Sequence, residues 1–286
     1  MRKKRGLLLA LLFVALPGGF VWMLSRTTGP FYQGKPLRAW LNEIDGWDTN
    51  QAAAVAFREM GANAIPALLK ALRPGDPPPF QRLILELNSR QSLVQFPVRR
   101  TPDQSWAASC ALYAMGAKAK PAFSALTNLL FHTNATVFSA LPLAGMGSEG
   151  LSALMVALTN QNDEIRASAA AGLSFARSDL NLVVPALIAR LRDQDRVVHR
   201  TAVEVLGLLH AEPALAVPAL LKDFAGDDPG LRSLILMAIG EFETNASAAV
   251  PMLLEALSDN DQKVRNDAVW ALQHIDPAAA AKAGVK

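Results

Sequence analysis

The sequence predicts an all-α protein: an α-solenoid of stacked helix pairs, preceded by one N-terminal transmembrane helix. Three observations carry that expectation. Proline recurs at Pro185, Pro218 and Pro251, 33 residues apart each time. Apolar residues recur in the same phase around those prolines. The chain opens with a basic cluster followed by an uncharged apolar stretch. Composition agrees, because 51% of the 286 residues are hydrophobic, Ala and Leu are abundant and Tyr occurs twice. That apolar fraction excludes a disordered chain, and a single Cys excludes a disulfide scaffold or a multi-cysteine zinc module.

Residues 1–25 read as a cytoplasmic basic stub and a signal anchor. Arg2, Lys3, Lys4 and Arg5 precede an uncharged run from Gly6 to Ser25. As a helix, that run would reach roughly 30 Å, the thickness of a bilayer's hydrocarbon core. The positive cluster should stay in the cytoplasm and place the body outside it. The rival reading is a cleaved signal peptide, with Leu7–Leu16 as its apolar core and Pro17-Gly18-Gly19 ending the helix. Against it, the apolar run resumes as Phe20-Val21-Trp22-Met23-Leu24, and no A-x-A-like site follows. Both readings export the body.

Residues 26–50 read as a juxtamembrane tether and lead-in helix, and 51–286 as the solenoid. Its early copies are irregular. Ala56-x-x-x-Met60-Gly61 leads to Pro66-Ala-Leu-Leu, and Ala111-x-x-x-Met115-Gly116 leads to Pro121-Ala-Phe. Between them an interruption at 73–105 carries the cluster Pro74, Pro77, Pro78 and Pro79 and a basic bias from Arg82, Arg90, Arg99 and Arg100.

From Ile165 onward the phase is strict. Ile165, Val198, Leu231 and Val264 begin the first helices, with Ala169, Ala202, Ile235 and Ala268 four residues later. Leu173, Leu206, Ile239 and Leu272 follow after another four. Steps of four keep these side chains on one helical face. Asp195, Asp228 and Asp261 stand three residues before their anchors, where an Asp caps a helix N-terminus. The prolines should start the second helices, where a missing N–H costs little. Leu187, Leu220 and Leu253 then begin those helices' buried faces. No pair can bury its own apolar stripe, so neighbours must stack.

Asp261-Gln-Lys-Val264-Arg265-Asn-Asp-Ala268-Val-Trp-Ala271-Leu272, with Asp163-Glu-Ile165-Arg166-Ala-Ser-Ala169, resembles the HEAT-repeat family. The likeness is to its short bacterial form, related to the repeats of phycobilisome lyases. Tyr32-Gln-Gly34-Lys35-Pro36-Leu37-Arg-Ala-Trp40-Leu41 resembles a segment between membrane helix and repeats in some bacterial relatives, which implies a membrane-anchored type. The resemblance implies an Asp/Arg ladder between repeats, here Asp228, Asp261, Arg166, Arg232 and Arg265, broken where His199 replaces the arginine.

Motifs for other chemistries have simpler readings. Gly145-Met-Gly147-Ser-Glu-Gly150 satisfies G-x-G-x-x-G but lacks the βαβ context of a dinucleotide site, so it reads as a turn. None of His132, His199, His210 and His274 has another histidine at helical metal spacing. Helical iron enzymes of the resembling type, such as deoxyhypusine hydroxylase, use His-Glu dipeptides, and this sequence has none. Asp193-Gln-Asp195 and Asp259-Asn-Asp261 look like calcium-loop openings without the glycine and glutamate that must follow. Cys110 reads as a small buried residue. No catalytic, cofactor-binding or metal residue is expected, and no cofactor.

The chain holds 28 basic and 25 acidic residues. Five basic ones and no acidic one fall within residues 1–29, which leaves 23 against 25, a net of −2. Such a body has no electrostatic attraction for nucleic acid. In solenoids of this resemblance the second helices line the concave side. Here they offer Ala189, Lys222 and Glu255 in one row, and Arg190, Asp223 and Ala256 in the next. Their mixed signs suit a protein or peptide partner. Arg190, Lys222, Asp223 and Glu255 are therefore the candidate partner-binding residues. The expectation is a non-enzymatic, membrane-tethered scaffold outside the cytoplasm. The alternatives are a bilin-lyase-like enzyme or accessory protein, an inert spacer, and a body secreted after signal cleavage.

Overall fold

The computed structural model describes residues 29–44, 46, 48–72, 104–132, 137–226 and 228–285. The apolar leader, and 73–103 of the interruption, lie outside the described residues. Gln104 and Ser105, assigned to the interruption from sequence, open a helix.

A two-residue hairpin, β1 (Phe31–Tyr32) and β2 (Lys35–Pro36), leads into α1 (Leu37–Glu43). Gln33 and Gly34 both take positive φ, as the tight turn requires. Trp40 is buried, donates its indole N–H to the Tyr32 carbonyl at 3.2 Å and lies under the Lys35 ammonium. The stretch expected as a tether thus folds down onto the first repeat.

Seven helix pairs follow among the described residues. The first helices are α2 (Ala52–Met60), α4 (Gln104–Met115), α6 (Val137–Ala144), α8 (Asp163–Leu173), α10 (Arg196–Leu209), α12 (Pro229–Gly240) and α14 (Gln262–Ile275). Their partners are α3 (Ile65–Leu72), α5 (Phe123–His132), α7 (Ser148–Ala157), α9 (Leu180–Arg190), α11 (Pro213–Asp223), α13 (Val250–Ala256) and the short α15 (Pro277–Lys282). Each first helix packs on the first helix of the next pair and on the second helix before it. One apolar core therefore runs from Leu37 to Ala280. The contact continues across the interruption, since α4 packs on both α2 and α3. There the Ser105 hydroxyl donates to the Ala71 carbonyl at 3.3 Å.

The predicted phase is the buried face. Ala169, Ala202, Ile235 and Ala268 are fully buried, as are Leu173, Ile239 and Leu272, with Leu206 at 1% exposure. Burial of this kind contributes roughly 25 cal/mol per Å² of apolar surface, which is why the pattern outranks local propensity. Asp195, Asp228 and Asp261 cap α10, α12 and α14 through backbone N–H bonds of 2.8–3.2 Å, and Asn162 does the same for α8.

The proline expectation needs correction. Pro185 and Pro218 lie inside α9 and α11, which start five residues earlier at Leu180 and Pro213. Each forfeits one backbone bond, and the helix persists because Val183, Val184, Ala216 and Val217 are pinned in the core. Of the prolines expected to open second helices, Pro66 and Pro251 do sit in a helix's first turn, after 3-10 turns at Gly61–Ala64 and Glu243–Ala249. Gly145, Gly147 and Gly150 form the α6–α7 turn and the start of α7, with Gly147 at φ 75°.

Candidate functional site

The ladder between repeats is built on different acids from those expected. Arg166 on α8 donates from Nη2 and Nε to the Asp193 carboxylate, at 2.7 and 2.9 Å. Its Nη1 donates to the Asn160 and Gln161 carbonyls at 2.9 and 3.0 Å. One guanidinium thus closes the end of the preceding turn and ties it to the next repeat. Two repeats on, Arg232 repeats the fork to Asp259 at 2.9 and 3.1 Å. Asp261 caps its helix and is not a rung; Asp228 caps α12 and links it to the preceding repeat through Arg196, which is outside the expected arginine series. Arg265 holds the Asp259 and Asn260 carbonyls.

The intervening rung lacks both partners at once. His199 stands where the arginine would be, and Gly226 where its acid would be. His199 Nε2 instead meets the Asp223 carboxylate at 2.7 Å.

The electrostatics follow the geometry. Burial pushes the Asp193 carboxyl upward, but the Arg166 fork, the Asp195 N–H and the nearby Arg190 overcome it and hold the group below the usual carboxylate range. The same fork raises Arg166 further. Asp259 is lowered by Arg232 first and by the Asp261 N–H second.

Next to the first rung is an open cleft of about 250 Å³, lined by Asn160, Arg166, Ala189, Arg190, Arg192, Asp193 and Gln194. Arg190 Nη1 reaches the Leu158 carbonyl at 3.2 Å and Asp193 at 3.4 Å. Arg192 is exposed. The lining itself holds three guanidiniums and one carboxylate, while Asp163 and Asp195 also act on Arg166 from outside it.

The four predicted partner-binding residues separate into two kinds. Lys222 and Glu255 are exposed, in line with exposed Val156 and Ala189 at the equivalent positions of α7 and α9. The neighbouring row turns inward. Arg190 and Asp223 are half-buried and bonded within the fold, and Ala256 is buried. Helices three turns long cannot show two adjacent rows fully to solvent while packing on both sides.

Sequence reasoning missed Asn160, Asp193 and Arg192 as members of one place. The signal was present for Asp193, because Asp and Gly at 193, 226 and 259 vary in step with Arg, His and Arg at 166, 199 and 232.

Two other clusters are structural. Ser233 bonds both Lys263 and Asp267 but is 1% exposed beneath the α12–α14 contact, out of a substrate's reach. Cys110 is buried, and desolvation pushes its thiol up to about 12. Among the described residues, no group of three or more His, Cys, Asp or Glu is placed to hold a metal ion. None of their helices is long and apolar enough to cross a membrane.

Residues 217–283, from within α11 to the end of α15, match the family model of HEAT repeats. No curated protein matches the chain. Two engineered proteins of known crystal structure are similar to it. One is 18% identical with a TM-score of 0.42, covering 87% of this chain and 82% of its own. The other is 16% identical with a TM-score of 0.39, covering 84% of this chain and 96% of its own.

Proposed function

We propose that this HEAT-repeat chain is a non-enzymatic scaffold, tethered to a membrane by the segment 6–25, whose repeats bind a protein partner outside the cytoplasm. The supporting observation is the outward face of the second helices. Val156, Leu182, Leu215 and Leu254 are 64%, 60%, 49% and 40% exposed, on α7, α9, α11 and α13 in succession. Exposed apolar residues on four consecutive second helices, which also expose Ala189, Lys222 and Glu255, have the mixed character of a protein interface. Stacked repeats supply such extended surfaces.

The membrane half of the reading rests on Arg2, Lys3, Lys4 and Arg5 before the apolar run, with only Arg26 close behind it. We place the repeats with the short bacterial form related to those of phycobilisome lyases, in a membrane-anchored setting.

Affinity capture from detergent-solubilised membranes tests the scaffold. The wild-type chain should retain a stoichiometric partner, and a Leu182→Glu/Leu215→Glu variant with unchanged helicity should lose it. Equal recovery by both would sink the reading. A reporter active only outside the cytoplasm, fused after Lys286, tests topology. It should be active, with the product kept in the membrane fraction after a carbonate wash. A silent reporter refutes export, and release into the soluble fraction makes the leader a cleaved signal.

A further inference from the structure

We propose that the arginine cleft binds an acidic peptide segment, its carboxylates engaged by Arg190 and Arg192. The proposal rests on the scaffold reading and names the chemistry of the partner at one place.

The repeat itself does not require these two arginines. At the second complete rung, Arg232–Asp259, the positions corresponding to 190 and 192 are Ala256 and Ser258. That rung forms with the same bidentate geometry and no cation at either of those positions; the further charge acting on Asp259 is Arg265, from the next first helix. One repeat before the cleft, the same positions are Ala157 and Thr159. Arg190 and Arg192 are thus surplus to the ladder.

The resident acid cannot neutralise them. Asp193 Oδ1 accepts from Arg166 Nη2 and the Asp195 N–H, and Oδ2 accepts from Arg166 Nε and Arg190 Nη1. Four donors occupy its acceptor sites. The remaining donors of Arg190, and the Arg192 fork, have no carboxylate left within the cleft. Asn160 Oδ1 already accepts from the Asn162 N–H at 2.9 Å. A site of surplus guanidiniums selects carboxylates, which bind an arginine fork bidentately. It stands out all the more in a body of net −2.

Position favours a peptide. Ala189 lines the cleft and belongs to the outward row Val156, Ala189, Lys222 and Glu255. A chain laid along the second helices therefore reaches the cleft without leaving the surface. A volume of about 250 Å³ admits one or two acidic side chains.

The test uses the full chain in detergent micelles and a fluorescein-labelled hexaglutamate peptide, read by anisotropy, with hexaglutamine as the neutral control. Hexaglutamate should bind and hexaglutamine should not, with affinity falling as salt rises. Arg192→Gln should weaken binding about fivefold, as expected for one charge contact at a partly exposed site, and adding Arg190→Gln about fivefold again. Arg38→Gln, an equal charge change at an exposed position of α1, should leave affinity unchanged. Unchanged binding in Arg192→Gln, or an equal loss in Arg38→Gln, overturns the proposal. Inorganic phosphate binding as tightly as the peptide would also overturn it, since the site would then serve a single oxyanion. The scaffold reading fails separately. If capture depends on Leu182 and Leu215 while hexaglutamate ignores Arg192, the scaffold stands and the acidic segment is refuted.

Discussion

Arg166→Ala should be among the most damaging substitutions in the described solenoid that touch no apolar core. Arg166 makes two charge-assisted bonds to Asp193 and two bonds to turn carbonyls. The Asp193 side chain is 4% exposed and that of Arg166 14%. Removing one partner of a buried pair costs about 3–5 kcal/mol, because the other charge stays desolvated. Arg190 at 3.4 Å and the Asp195 N–H remain for Asp193, so the lower end applies, about 3 kcal/mol. Arg265 provides an internal control. It makes the same carbonyl contacts but, among the described residues, bonds no acid of a following repeat. Arg265→Ala should therefore cost about 1 kcal/mol. Urea unfolding of both variants, followed by helical circular dichroism, measures the difference. The pH dependence has a defined sign. The folded-state pKa of Asp193 is depressed, so its contribution is complete above the ordinary carboxylate value of about 3.9 and is lost as pH falls through the lower folded value. The penalty of Arg166→Ala should accordingly shrink below about pH 4. Equal penalties for Arg166→Ala and Arg265→Ala at neutral pH would refute the rung as an ion pair between repeats.

Leu206→Ala, at a position 1% exposed on α10, should cost about 2–5 kcal/mol through lost transfer energy and a cavity, lowering the melting temperature. An unchanged melting temperature would mean that the repeat's buried face is misassigned. Gly207→Ala should destabilise by about 1–3 kcal/mol, since its new methyl would lie 2.7 Å from the Ala238 Cα and force α10 and α12 apart. A neutral result in thermal unfolding would contradict that close approach. Cys110 should resist a thiol reagent at pH 8 until the chain unfolds, because burial and a pKa of about 12 leave almost no accessible thiolate. Stoichiometric labelling within seconds under native conditions would refute its burial.

The sequence by itself determined the regular half of the fold. From Ile165 to Ile275 the buried positions Ala169, Ala202, Ile235 and Ala268, with Leu173, Leu206, Ile239 and Leu272, are set by a period of 33 residues and a step of four within it, and such a pattern has one way of becoming dry. The caps Asp195, Asp228 and Asp261 were legible for a similar reason, since a cap bonds N–H groups two or three residues away on its own chain. Tertiary structure decided what depends on neighbours. Pro185 and Pro218 stay inside helices because packed valines outweigh one missing backbone bond. The hairpin and α1 fold onto the first repeat because Leu37, Trp40 and Leu41 are buried in the same core as Phe57 and Met60 of α2. The candidate site divided along the same line. Exposure of Lys222 and Glu255 follows from helical phase, whereas the inward turn of Arg190 and Asp223 depends on what the adjacent turns present. Asp193 lies 27 residues from Arg166 in sequence, and only stacking of one repeat on the next puts its carboxylate 2.7 Å from the guanidinium. Periodicity fixes which side chains leave water, because that requires only local geometry. The pairing of charges and the shape of a cleft depend on distances between elements, which packing alone sets.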